Sequence, residues 1–268
     1  MMAAPGQPRE PARAYTARLT KSSALVPEMR KLVLEWDDDV GRGKRLVQEN
    51  VLASPTRSRS NDVVTRAFLP RYVHSRPPDL WRPLAILERE GWQLQALLPL
   101  HYFAAASAEP ILRDFVSEFL APRYAIGHLE VTVDDAKRFL ARAPADRYPR
   151  GRWGESVTER VAQGLLATLR DFGVLSGAVK KRVTPIYLPV PSFAFLAKLR
   201  TDLGAKGRAL LVDPCWQLFY LSETAVERLF VEAQQEGLLA YNAAGSVIRV
   251  DFPARDLEDY AHVVARRA

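Results

Sequence analysis

At 268 residues, with 48% hydrophobic and 26% charged side chains, the chain has the size and balance of one large or two ordinary globular domains. That excludes wholesale disorder and a membrane protein. The net charge of +7 and pI of about 9.6, with the excess held mainly by arginine, favour a polyanionic partner, because basic groups beside phosphates release condensed counterions.

The opening "MMAAPGQPREPARAYTAR" has no apolar core of a signal peptide, so residues 1–14 read as a disordered lead-in. The longest apolar region, "GWQLQALLPLHYFAAASA", is interrupted by Gln93, Gln95, Pro99 and His101 and falls short of the roughly 20 apolar residues a membrane span needs. A cytoplasmic protein with no membrane contact is expected.

From Pro27, "PEMRKLVLEW" spaces Met29, Leu32, Val33 and Trp36 as one face of a short helix. "DDDVGRGKRLVQENVLA" supplies a turn and a second helix with Leu46, Val47 and Val51 inward. Next comes "SPTRSRSNDVVTRAFLPRYVHSR", with arginines at 57, 59, 66, 71 and 76 against one acid, Asp62. Ser and Asn near 58 to 61 predict the cap of a third helix that Pro70 should end. At about 100° per residue, Val63, Val64, Ala67 and Phe68 share one arc, opposite Arg59, Asn61, Asp62, Thr65 and Arg66.

Further helices are expected in "PDLWRPLAILEREG", "WQLQALLPLHYFAAA", "AEPILRDFVSEFLAPRYA" and "TVDDAKRFLARA", the last opened by Thr132 with Asp135 three residues on. The Pro-, Gly- and Arg-rich stretch 142–156 marks a domain boundary, dividing a helical domain over 15–145 from a second over 146–268.

"ESVTERVAQGLLATLRDFG" then reads as a helix with Val157, Val161, Leu165, Leu166 and Leu169 on its apolar side and Gly173 as its stop. "VLSGAVKKRVTPIYLPV" reads as a hairpin around a basic loop, and helix plus hairpin is the grammar of a winged helix. "PSFAFLAKLRTDLGAKG" is expected to be amphipathic. The grammar recurs in "LSETAVERLFVEAQQEG", capped by Ser222, and in "LLAYNAAGSVIRVDF" around an Asn-Ala-Ala-Gly turn. The fold class is therefore mainly α: two helical domains with winged helix-turn-helix-like units and short β-hairpin wings.

The sequence is poor in convergent reactive groups. A lone cysteine, Cys215, excludes a disulfide framework and a cysteine-based zinc site, and reads as a buried thiol. His74, His101, His128 and His262 share no metal-ligand spacing, and "DVGRGKRL" lacks the glycine and hydroxyl residue of a phosphate loop. Asp37-Asp38-Asp39 is suited to capping a helix junction. No catalytic residue, metal or cofactor is expected.

What remains is binding. Arg57, Arg59, Asn61, Thr65, Arg66 and Arg71 offer donors for phosphate oxygens and groove edges, on a third helix preceded by two others. A solvated arginine face is the competing reading. Lys180, Lys181 and Arg182 at the first hairpin are either a wing tracking the DNA backbone or solubility residues. Phe193, Phe195, Trp216, Phe219 and Tyr220 fall among apolar residues and belong to the core.

Taken in order, "YTARLTKSSALVPEMRKLVLEW", "LVQENVLASPTRSRSNDVVTRAFLPRY" and "SVTERVAQGLLATLRDFGVL" resemble the BrxA family of bacterial BREX phage-exclusion systems, over about Tyr15 to Phe252. The resemblance implies a non-enzymatic protein with winged helix-turn-helix-like units that binds double-stranded DNA and serves a multi-component phage defence alongside other BREX proteins. It assigns no contact residue. A scaffold docking acidic protein partners and an RNA-binding module are the alternatives. A homodimer is compatible with such a module, although no interface is marked.

Overall fold

The computed structural model describes residues 14–245 and 247–266; the expected lead-in over 1–14 lies almost wholly outside them. A 3-10 turn at Arg18–Thr20 leads into α1 (Val26–Glu35), which buries Met29, Leu32 and Val33 as their spacing predicts. After α2 (Arg42–Gln48), Thr56 caps α3 (Arg57–Val63) by accepting from the Arg59 amide at 3.1 Å.

Pro70 does not end this helix. The backbone runs on from α3 as a π-helix over Val64–Val73 with Pro70 inside, closing on the His74 amide, which donates to the Leu69 carbonyl five residues back at 2.7 Å. The wider π turn relieves the clash a proline ring makes with the preceding turn of an α-helix.

Next follow α4 (Trp81–Arg89) and α5 (Leu94–Ala108). A further helix runs without a break through α6 (Pro110–Asp114), a π-helical stretch Phe115–Leu120 and α7 (Ala121–Ala125). Strand β1 (Glu130–Val131) precedes α8 (Val133–Arg142), where Thr132 and Asp135 form the expected reciprocal cap. Then come α9 (Glu155–Asp171), β2 (Leu175–Ser176) and β3 (Lys181–Val183). The C-terminal part holds α10 (Val190–Asp202), α11 (Arg208–Leu211), α12 (Glu223–Gln235), β4 (Ala240–Ala244), β5 (Val247–Asp251) and α13 (Leu257–Ala265). The chain is mainly α with two small antiparallel sheets among the described residues.

The boundary expected near residue 145 falls on a 3-10 turn, Ala145–Arg147, in an otherwise irregular connection, but packing crosses it. Strand β1 pairs with β3, and β3 with β2, so one sheet of order β1-β3-β2 draws on both sides. The Tyr15 amide donates to the Arg147 carbonyl at 2.8 Å, Tyr102 meets Phe172 and Phe219 at ring distances of 5.4 and 5.7 Å, and α13 packs on α4. One cluster of buried side chains runs from Tyr15 to Val264.

Two further expectations shift. Helix α10 is not amphipathic: every residue from Ser192 to Leu199 is buried, because α5, α12 and α13 all pack on it, and Lys198 is accommodated through Asp202 and the Arg255 carbonyl. In the second hairpin, Asn242, Ala243 and Ala244 are paired strand residues, and the register Ala244↔Val247 moves the turn on to Gly245. Ser222 caps α12 as expected, accepting from the Ala225 amide.

Candidate nucleic-acid interface

Burial of Val63, Val64, Ala67 and Phe68 turns the opposite side of α3 and its π-helical continuation to solvent. That side carries Arg57, Asn61, Thr65 and Arg66, with Arg59 half-buried at its edge. Arg66 Nε lies 3.0 Å from Asp62 Oδ1, the i,i+4 partner expected of a helix surface, and Lys21 Nζ stands 4.0 Å from the same carboxylate. Arg59 Nη1 donates to the Lys21 carbonyl at 2.5 Å, and the Thr65 hydroxyl donates to the Asn61 carbonyl at 2.7 Å. Four cations, Lys21, Arg57, Arg59 and Arg66, thus face one acid. Lys21 lies outside the basic stretch, and nothing local in the sequence marks it.

Arg71 does not join this face. It is 1% exposed, and its guanidinium donates to the carbonyls of Ser22, Ser23 and Ala24 at 2.9, 2.9 and 3.0 Å. The π-helical continuation past Pro70 carries its side chain inward, where it anchors the segment leading into α1. Burial pulls its pKa below the usual arginine range, against the pull of Tyr72 and Glu109.

The first hairpin places the second basic group. Gly177 takes φ +91°, and a Cβ there would lie 2.3 Å from the Lys180 carbonyl oxygen, so only glycine permits this tight loop. Lys180 and Arg182 are exposed. Lys181 is half-buried and folds back, its Nζ donating to the Ala178 carbonyl at 2.6 Å. Arg182 lies opposite Glu130 in the β1–β3 register, a favourable cross-strand pairing of charge. Val179, 91% exposed, marks the tip.

Helix α9 links the two groups. Its Gly164 seats Leu19 of the N-terminal segment, two residues before the carbonyl that holds Arg59, and its C-terminal end feeds β2. No hydrogen bond or ion pair joins α3 to the hairpin among the described residues.

The acid run and the lone cysteine are internally engaged. Asp37 and Asp39 pair with Arg42 and Arg45, and Asp38 with Arg82. Cys215 is buried, and burial together with Asp213 pushes its thiol well above the usual range. Phe193, Phe195, Trp216 and Phe219 are core residues, with Tyr220 partly buried against them. Among the described residues no group of three or more His, Cys, Asp and Glu converges, and no helix is long and apolar enough to cross a membrane.

The BrxA family model matches residues 13–200. No curated protein matches the chain. Among solved structures, an uncharacterized protein from Magnetospirillum magneticum aligns with a TM-score of 0.54 at 17% identity, over 76% of this chain and 98% of its own. A magnesium ion-bound SspB aligns with a TM-score of 0.62 at 13% identity, and a second SspB structure with 0.60 at 14%; each match covers 94% of this chain and 87% of the other. At these identities the likeness is one of fold.

Proposed function

Since the chain belongs to the BrxA family and is thereby a BREX-associated phage-defence protein, we propose that it binds double-stranded DNA without catalysing a reaction, largely through phosphate contacts. The observation that carries this reading is the order helix, β1, α8, α9, β2, β3, with the sheet ordered β1-β3-β2. That is the order of a winged helix, with α9 in the place of the reading helix and Lys180 and Arg182 on its wing. The unit straddles the connection at 143–154 rather than following it.

Helix α9 exposes Arg160, Gln163 and Arg170 but also Glu155, Glu159 and Asp171, the last paired with Arg170, so it brings no net positive charge of its own. The cations for phosphate come from the hairpin and from the face of Lys21, Arg57 and Arg66. Such a division suits backbone tracking better than base readout.

The test is binding to a labelled duplex across a salt series, with wild type beside Lys180→Glu/Arg182→Glu and Arg57→Glu/Arg66→Glu. Affinity should fall steeply with salt, and each pair should lose roughly tenfold or more together with part of the slope. Wild type that fails to bind at low salt would overturn the reading, and a matched RNA duplex that binds better would transfer it to RNA.

A second reading rests on α12. In the second helix-plus-hairpin unit this helix exposes Glu223, Glu227 and Glu232, with Glu236 at its C-terminal cap, against Arg228 and against Arg208, which pairs with Glu223, an excess of acid that repels phosphate. This unit fits a basic protein surface of another BREX component. Charge reversal at Glu232 and Glu236 that abolishes co-purification with BREX proteins, while leaving duplex affinity intact, would establish it as a docking face.

A further inference from the structure

The helix running through Phe115–Leu120 and α7 meets α8 along a cleft of about 440 Å³ that the basic faces above do not include. Two phenylalanines and three arginines line it: Phe119 and Arg123 from the first helix, and Arg138, Phe139 and Arg142 from α8. We propose that this cleft binds a nucleoside phosphate, with the base against Phe139 and the phosphate on Arg123 and Arg142.

Each part of the ligand answers a feature of the cleft. The Phe119 and Phe139 rings lie 6.1 Å apart at 60°, both only partly buried; Phe119 is stacked on Phe115 at 5.1 Å and covered by Arg123, so the aromatic surface left to a base is that of Phe139. Arg123 lies over Phe119 at 4.9 Å and donates through Nη2 to the Glu130 carbonyl at 3.2 Å. Its Nε is buried and has no hydrogen-bond partner. A buried charged donor left unpaired is costly, and turning the guanidinium toward a phosphate in the cleft would relieve it. Arg142 is exposed one turn beyond Arg138 on the same side of α8.

The acids of the cleft cancel part of this charge. Asp135 accepts from the Thr132 amide and hydroxyl at 2.9 and 2.8 Å and from Arg138 at 2.6 Å, so its carboxylate is spent on the cap of α8 and on Arg138, which leaves Arg123 and Arg142 to an anion. Burial, and then Asp114, push the Glu118 carboxyl above the usual carboxylate range against Arg147 and Arg113, and this exposed acid stands at the edge of the cleft. A bare phosphate would have no use for Phe139, and an apolar ligand none for the arginines. The volume falls in the range of small-molecule sites, of about 300–1,000 Å³. The ligand could be a free nucleotide or an unpaired nucleotide at a strand end, since a stacked base pair cannot present its faces to the ring.

The test is calorimetric titration of the full chain with deoxyadenosine monophosphate, deoxyadenosine and inorganic phosphate, on wild type, Arg142→Glu and Phe139→Leu. The monophosphate should bind saturably and more tightly than either fragment. Arg142→Glu should weaken it about tenfold or more, and Phe139→Leu roughly 5-fold or more, the scale of one lost stacking contact. No saturable binding, or binding that both variants leave unchanged, would overturn the proposal; inorganic phosphate binding as tightly would overturn its nucleoside part. Competition by a 5′-phosphorylated single strand against the free monophosphate tells the two sources apart, and either result upholds the cleft. Duplex affinity measured on the same proteins keeps the two readings separate. Monophosphate binding without duplex binding sinks only the wing, and the reverse sinks only the cleft.

Discussion

Gly164 and Leu19 meet backbone to backbone: a Cβ built on Gly164 would lie 2.6 Å from the Leu19 carbonyl oxygen and 3.2 Å from the Thr20 amide nitrogen. The middle of α9 is thus shaped to receive the N-terminal segment, which in turn holds Arg59 and Arg71 by their guanidinium groups. Gly164→Ala gains up to about 1 kcal/mol of helix propensity but meets immobile backbone, an overpacking penalty of about 1–3 kcal/mol. A net loss of stability is expected, read as a lower urea midpoint with an unchanged slope. A midpoint that rises would mean that the segment shifts aside at no cost.

Arg71 tests how much of that seating is electrostatic. Its three carbonyl partners are buried or half-buried, and hydrogen bonds from a charged donor are worth about 1.5–3 kcal/mol each before non-additivity. Arg71→Leu leaves those carbonyls without their donor and should lose at least about 3 kcal/mol in chemical denaturation. Glu109 is affected as well, because burial raises its pKa while Arg71 and Arg18 pull it down. A variant as stable as wild type would show that water replaces the guanidinium.

The contrast between Arg71 and Arg66 shows where sequence reasoning stops. An angular step of about 100° per residue sorts the outward and inward residues of α3 up to Phe68, and it also finds the Thr132–Asp135 cap and the hairpin after α9. Arg71 stands seven residues after Val64 on the same buried arc, but Pro70 read as the stop of the helix hides this, and no residue pattern announces the π turn that carries the helix past it. Strand β1 is two residues long and has no periodicity to read, so the sheet that ties the two sides of the chain together was invisible. The cleft arginines are divided between two helices, Arg123 on α7 and Arg138 and Arg142 on α8, and only the packing of those helices brings Arg123 beside the other two.

His101 makes stability depend on pH. It is fully buried, its Nδ1 is 2.7 Å from the Tyr72 hydroxyl, and its Nε2 is 3.6 Å from Glu88, whose carboxylate is held by Arg30 at 2.7 and 2.8 Å. Burial depresses the imidazole pKa despite the nearby Glu88 carboxylate, with Arg30 and Arg71 adding to the depression. The unfolded chain binds this proton near the ordinary histidine pKa of about 6.5 and the folded chain does not, so stability is full above that pH and is lost as pH falls toward the folded value. His101→Leu should show a shallower loss of stability than wild type between about pH 7 and 5. Parallel losses in the two proteins would mean that the folded imidazole takes up the proton as readily as the unfolded one.

Arg59 and Arg66 share the exposed side of α3, yet their partners assign them different work. Arg66 is 53% exposed and among the described residues pairs with Asp62 alone, a surface contact worth little to stability, so it remains available to a phosphate. Arg66→Ala should therefore leave stability within about 0.5 kcal/mol while lowering duplex affinity several-fold and the salt slope by about 1. Arg59 is bound to the Lys21 carbonyl, which fixes the segment seated on Gly164. Its removal should lower stability by about 1 kcal/mol and leave the salt slope nearly unchanged. If Arg59→Ala instead reduced the slope as Arg66→Ala does, with no loss of stability, the guanidinium would have to leave Lys21 for the DNA, and the basic face would be one residue wider.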